Sequence, residues 1–221
     1  LWQHDQKNLR LIHDICFAKF GPDLIVARNS IVRSFLETEC DWLLQIDSDI
    51  SFPHDVLHKL TSHAQGLEAH GDTFSRYIIG AACPILRGTA IVPVPDNLIK
   101  PTLALNTNVS IISNTFWWKN TFEGHKVFAT TNKPTNPTNS QILPCDGIGA
   151  AFLLVHRDVF VKMRQELPYP HWFGPVYMEN EHASEDLGFC IRAKQCGFQT
   201  WAVSRLGIRH EKSVMLDEVR W

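Results

Sequence analysis

Asp47, Ser48 and Asp49 place two carboxylates one residue apart, directly after the apolar run Trp42-Leu43-Leu44-Gln45-Ile46. That run reads as a short buried strand bounded by charge, so the two acids stand at its carboxyl end. In an open α/β sheet, ligands bind outside the carboxyl ends of the strands. Carboxylates there are hard oxygen ligands, suited to Mg²⁺ or Mn²⁺ carrying a phosphate. Asp and Ser are equally ordinary in a polar turn after a strand, and the tripeptide alone does not separate the two readings. A second acidic cluster, Ser184-Glu185-Asp186, opens a segment of helical periodicity. Ser184 suits a helix N-cap and the acids favour the helix dipole, or one carboxylate serves as a general base. His210 stands at the end of the last strand-like run; its imidazole is either structural or completes a site with Asp47 and Asp49.

The elements that must position these groups are legible in outline. Residues 5–19 carry Leu9, Ile12, Ile15 and Cys16 at mostly helical spacing, ended by Gly21-Pro22. Asp23 is placed to cap a second helix with the apolar face Leu24, Ala27, Ile31, Val32 and Phe35, and Arg28 and Asn29 fall in its first turns. A third helix is predicted from Pro53, with Val56, Leu57 and Leu60 on its apolar side. Residues 77–82, 149–155 and 200–203 read as strands, and 206–210 as a further strand-like run. Residues 157–165 read as a helix, and another starts near Ser184 and is stopped by Gly197. Residues 83–139 are rich in Pro, Thr and Asn, with short β-like pieces at 109–112 and 126–129 and the adjacent Trp117 and Trp118. Residues 168–180 form a Pro- and aromatic-rich loop containing His171, Trp172 and Phe173. Helices alternating with buried strands argue a three-layer α/β domain.

Composition narrows the class. A chain of 221 residues, 44% hydrophobic and 20% charged, has the make-up of one soluble globular domain with a sizeable core. A net charge of −2 gives no reason to expect a nucleic-acid partner. No apolar run approaches the roughly 20 residues that cross a bilayer, so no transmembrane segment is expected. The polar N-terminus shows no signal peptide and no initiator Met, which reads as a piece of a longer protein. The six cysteines are scattered without a CxxC pair, which argues against structural zinc. Reduced core thiols in a cytoplasmic protein are the favoured reading, and disulfides in a secreted chain the alternative. The sequon Asn108-Val109-Ser110 does not decide between them.

Taken together, four segments in order resemble the GT-A-fold glycosyltransferases of the family-two type. Ala27-Arg28-Asn29 followed by Trp42 to Asp49 looks like the family's ARN, strand and DxD segment. Residues 145–157, Cys-Asp-Gly-Ile-Gly-Ala-Ala-Phe-Leu-Leu-Val-His-Arg, resemble the glycine-containing strand that faces the acceptor. Residues 184–198, from Ser184-Glu185-Asp186 to Gly197-Phe198, resemble the helix that bears the catalytic acid. His210 falls where the family often has a metal-binding histidine. The resemblance implies a three-layer, Rossmann-like GT-A fold with a mixed central sheet, formed by residues 1–221 as a single domain. The family's usual first strand, which carries part of the base pocket, is either lost from this chain or unusually short ahead of the first helix, which leaves base recognition open.

The resemblance also implies roles. Asp49 binds Mn²⁺ or Mg²⁺ directly, Asp47 meets the metal through water or contacts the donor ribose, and His210 is the other protein ligand. Ser48 lies between the two acids. Arg28 and Asn29 fall near the nucleotide or its phosphates. Asp186 is the base for the acceptor hydroxyl, with Glu185 in reserve. Asp146, Gly147, Gly149 and Trp172 help shape the sugar and acceptor pocket. The expected partners are a nucleotide-diphosphate sugar, UDP-sugar ahead of GDP-sugar, and a carbohydrate or other hydroxyl acceptor, with inversion at the anomeric carbon as the first expectation and retention as the alternative. A sugar nucleotidyltransferase is the rival enzyme, but it needs a glycine- and basic-rich phosphate loop that the N-terminal region does not show. A non-catalytic carbohydrate-binding relative is the rival from another class.

Overall fold

The computed structural model describes residues 12, 15, 23–69, 78–87, 110–113, 115–118, 128–129, 142–168, 171–177 and 182–210. The helix expected over residues 5–19 lies almost wholly outside them, as do the side chains of Trp117 and Trp118. The described helices are α1 (Leu24–Leu36), α2 (Val56–Ala69), α3 (Arg157–Glu166) and α4 (Glu185–Gln195). The strands that matter for the site are β1 (Trp42–Ile46), β2 (Ile50–Ser51) and β3 (Ile78–Ala81). Shorter pieces follow at β4 (Pro84–Arg87), β5 (Ser110–Ser113), β6 (Thr115–Trp118) and β7 (Phe128–Ala129). Then come β8 (Ile142–Cys145), β9 (Gly147–Ile148) and β10 (Phe152–His156). The chain ends in β11 (Val176–Tyr177), β12 (His182–Ala183), β13 (Thr200–Val203) and β14 (Arg209–His210).

A five-stranded sheet in the order β1-β10-β3-β13-β8 forms the middle layer. β3 and β13 run parallel, while β10 lies antiparallel to β1 and β3, and β8 antiparallel to β13. The sheet is therefore mixed, with β1, β3 and β13 pointing one way. Alternation along β10 sends Leu153 and Val155 to one face and Phe152 and Leu154 to the other, so the sheet separates two hydrophobic cores. The first core is closed by α1, α3 and α4 through Val32, Phe35, Phe160 and Phe189. The second is closed by α2 through Val56, Leu60 and Leu67. This is a mixed α/β architecture in three layers, compatible with a Rossmann-like fold.

Several boundaries differ from the sequence expectation for local reasons. Asp23 does cap α1, its carboxylate accepting from the backbone N–H groups of Ile25 and Val26. The buried face of α1 is however Arg28, Asn29, Val32 and Phe35, while Leu24 is exposed. Two polar residues displace the apolar stripe because they bond to buried partners. α2 begins at Val56, not Pro53; a turn at His54 and Asp55 intervenes, and the Val56 N–H bonds to the Pro53 carbonyl. Residues 150 and 151 form a turn, so β10 begins at Phe152. Residues 146–150 cross the sheet face, with Ile148 lying over Gly80. A Cβ at Gly80 would stand 2.6 Å from the Ile148 Cδ1, so a larger residue there would push the crossing segment away.

Candidate functional site

Two crossings bring the distant segments together at the carboxyl edge of β1. Asp47 prolongs β1, its N–H bonding to the Ala151 carbonyl at 2.9 Å. Ser48 is an exposed turn residue, and the turn closes through the Ile50 N–H to the Asp47 carbonyl. β2 then pairs antiparallel with β14 in the register His210 opposite Ile50. That register sets His210 beside Asp49, with Nε2 2.9 Å from Oδ2 across a sequence separation of 161. Arg205 and Gly207, both at positive φ (62° and 74°), turn the chain back after β13 so that β14 can reach β2. A Cβ on Gly207 would also press on Pro53.

Behind this edge, Arg28 reaches from α1 into a closed setting. Its Nη1 donates to Gln45 Oε1 at 3.3 Å and to the Ala150 carbonyl at 3.1 Å. Its Nη2 donates to both oxygens of Asp47 at 3.2 and 3.3 Å. Glu185, the first residue of α4, brings Oε1 to 3.7 Å from Arg28 Nε, within ion-pair range but beyond a hydrogen bond. Burial raises the Asp47 carboxyl above its ordinary range; Arg28 pulls it back and Asp49 pushes it up again. Burial likewise raises Glu185, with Asp186 and Asp47 adding to the rise. The edge is thus crowded with carboxylates whose charges oppose one another, an arrangement that a cation relieves.

The remaining expected site residues divide. Asp186 accepts from the Ser184 hydroxyl and from the Leu187 N–H at 2.8 Å, so its carboxylate folds onto its own turn. Ser184 therefore stands at the N-cap position without the expected side-chain bond to the helix backbone. Asn29 does not face the edge. Its Nδ2 donates to the carbonyls of Ile25 and Phe173, and its Oδ1 accepts from the N–H groups of Trp172 and Phe173. That uses the whole capacity of an amide, so Asn29 braces the 171–174 loop. It has no bond left for a nucleotide. Trp172, expected in the sugar pocket, is buried in the first core, with its indole N–H on the Phe160 carbonyl at 2.8 Å. Its polar group and ring face are taken by the protein interior.

Asp146 is separated from the cluster as well. β8 pairs with β13 so that Cys145 lies opposite Thr200, the first residue of β13. Asp146 follows at the opposite edge of the sheet and is paired with Lys194 near the C-terminal end of α4. From Glu185 to Lys194 the helix axis advances roughly 14 Å. Gly147 and Gly149 are buried along the crossing segment, and the carbonyl that reaches the site is that of Ala150.

Gln45 and Ala150 were not singled out in the sequence. A lone Gln inside an apolar strand is the signal that marks Gln45. The 171–175 loop was noted without its task. Gly188 meets it so closely that a Cβ would lie 2.0 Å from the Gly174 carbonyl oxygen. Arg192 donates to the carbonyls of Gly174 and Pro175 at 2.7 and 3.0 Å. Phe173 stacks on Phe189 with centroids 4.5 Å apart. Cys83, near Asp47, is held neutral: burial pushes its thiol up to about 12, and the Asp47 charge adds to that.

Among the described residues no group of three or more His, Cys, Asp or Glu side chains gathers in metal-binding geometry. Asp49 and His210 are in direct hydrogen-bond contact, and the same spacing suits two ligands of one ion. Adjacent corners of an octahedron with bonds of about 2.1 Å are roughly 3 Å apart, and the two atoms stand 2.9 Å apart. Mg²⁺-type sites draw one or two protein ligands and leave the rest to phosphate and water. Among the described residues no helix is long and apolar enough to cross a membrane.

The chain matches no protein-family model and no curated protein. Among solved structures it is similar to that described as "Crystal Structure of A197 from STIV", at 13% identity and a TM-score of 0.43, over 87% of this chain and 69% of that one.

Proposed function

We propose that this chain is a metal-dependent glycosyltransferase with a GT-A-type fold, moving a sugar from a nucleotide-diphosphate sugar to an acceptor hydroxyl. The observation that carries the reading is the Asp49–His210 contact, beside Asp47 at a strand edge that also receives the first residues of α4. Asp49 and His210 are the residues that hold Mn²⁺ or Mg²⁺, with Asp47 acting through water or on the donor ribose. The bound cation stabilises the negative charge that develops on the departing diphosphate. UDP-sugar is the first choice of donor and GDP-sugar the second.

The acceptor hydroxyl is a weak nucleophile and needs a carboxylate within hydrogen-bond reach. Asp186 occupies the position that the family resemblance assigns to this base, and single displacement with inversion follows. Both of its bonds, from the Ser184 hydroxyl and the Leu187 N–H, fall on Oδ1, so they orient the carboxylate and Oδ2 is the oxygen that takes the proton. A second reading gives the base to Glu185, because that α4 carboxylate reaches the β1 edge beside Arg28 and burial makes it more basic. Asp186→Asn and Glu185→Gln separate the two. Loss of transfer with intact Mn²⁺-dependent donor binding marks the base, and full transfer in both variants refutes a base on α4. Pyrophosphate release from a nucleoside triphosphate and a sugar phosphate would instead identify a nucleotidyltransferase.

A further inference from the structure

Arg28 is enclosed by protein groups on every edge of its guanidinium. Its side chain is only 5% exposed, and the Phe173 ring lies 5.8 Å from its central carbon. Nη1 is held by Gln45 on β1 and by the Ala150 carbonyl before β10; Nη2 is held by Asp47 after β1. Nε is buried without a hydrogen bond, and the nearest anion is Glu185 on α4 at 3.7 Å. A donor phosphate would have to displace one of these partners to reach the guanidinium. Three separate pieces of chain, the end of β1, the turn before β10 and the start of α4, meet on one planar fork, a geometry that Lys cannot reproduce with its single ammonium.

We infer that Arg28 is a positioning residue that fixes Asp47 and Glu185 from one buried guanidinium, and that it is not a ligand of the donor phosphates. The inference rests on the metal-dependent transfer reading above. Asp47 accepts from Nη2 in a fork, so its carboxylate is oriented before any cation arrives. Glu185 faces the one nitrogen left over, so α4 is drawn toward the same point. A buried cation with several anchors also keeps the two carboxylates from parting under their mutual repulsion.

The test is Arg28→Lys, which keeps the charge and removes the fork. The probes are Mn²⁺ alone, followed by electron paramagnetic resonance, and UDP, UMP, GDP and GMP at saturating Mn²⁺. Outer partners of metal ligands typically tune affinity by about 10–100-fold; Asp47 meets the cation through water or holds the donor ribose, so affinity for Mn²⁺ or for the nucleotide should fall by at most roughly tenfold. The preference for a nucleoside diphosphate over its monophosphate should stay unchanged, because no phosphate contact has been removed. Gln45→Met, which removes one anchor from the opposite side, should weaken Mn²⁺ in the same direction by a smaller factor, and it decides the matter if Arg28→Lys does not fold. Unchanged affinity for Mn²⁺ and for the nucleotides in both variants overturns the inference, because Asp47 acts on the cation through water or on the donor ribose. So does a diphosphate preference that collapses in Arg28→Lys, since that is the mark of a phosphate ligand. A wild-type protein that binds no Mn²⁺ refutes the transfer reading itself.

Discussion

Arg28 and Asn29 lie on one side of the β1 edge, buried, with hydrogen bonds to at least three other segments. Asp49 and His210 lie on the other side, on a ribbon of two residues per strand, and the Asp49 side chain is 40% exposed. The first region is built by interlocking: α1 and α4 both grip the 171–175 loop, one through the Asn29 amide and the other through Gly188 and Arg192. The second follows from register, because one antiparallel pair sets His210 beside Asp49. A closely packed wall beside a pair made of a mostly buried imidazole and a half-exposed carboxylate suits a site in which the wall orients the reacting groups and the pair accepts a cation. Substitutions in the wall should therefore read out in stability, and substitutions in the pair in metal binding.

The largest break should come from Asn29→Ala, which orphans buried backbone groups on the 171–174 loop. A loss of about 3 kcal/mol is expected, measured by urea unfolding. A loss under about 1 kcal/mol, closer to that of a surface change, would mean that the loop is held by other means. Gly188→Ala drives a methyl toward the Gly174 carbonyl and should cost about 2 kcal/mol, seen as a lower Tm. It should leave Mn²⁺ binding by Asp49 and His210 in place once folded.

How much of this contrast was legible in the sequence follows from what each half depends on. Asp47, Asp49 and His210 were marked by residue type and by their places at strand ends, and their meeting needed only a sheet edge. The strands β1, β3 and β13, the Asp23 cap and the Gly197 stop, which has a φ of 84°, follow from local pattern. The wall was not legible, because its logic is tertiary. Asn29 and Trp172 were expected to face ligand, yet the valences of one are taken by loop backbone and the ring of the other by the core. Asp146 was placed with the site by its neighbours in sequence, but the chain crosses the whole sheet between Asp146 and Ala150. The close approach of Gly188 to Gly174 has no sequence signal beyond a glycine inside a helix.

A pH experiment sharpens the comparison on the wall side. The folded-state pKa of Glu185 is raised by burial first, so the folded form binds its proton more tightly than the unfolded chain does. Ionised Glu185 therefore weakens the fold above its raised pKa, and the penalty fades as pH falls toward the ordinary value of 4.5. Glu185→Gln removes the penalty. It should be more stable than wild type at pH 8, and the two should converge near pH 4.5. A constant difference across that range would show that Glu185 is not buried as described. The smallest effect belongs to Tyr177→Ala at the β11–β12 ribbon. Its side chain is among the most exposed large apolar groups described, at 79%, and stability should change by less than about 0.5 kcal/mol.

The most direct measurement of the central claim is a thermal-shift titration of UDP- and GDP-sugars, with and without Mn²⁺, on wild type, Asp49→Ala and His210→Ala. A ligand that binds only the folded form raises Tm by mass action. Wild type should be stabilised by a donor only when Mn²⁺ is present, and both variants should lose that metal-dependent shift while keeping a near-native Tm without ligand. A donor shift that is independent of Mn²⁺, or one that survives in both variants, would contradict a metal held between Asp49 and His210.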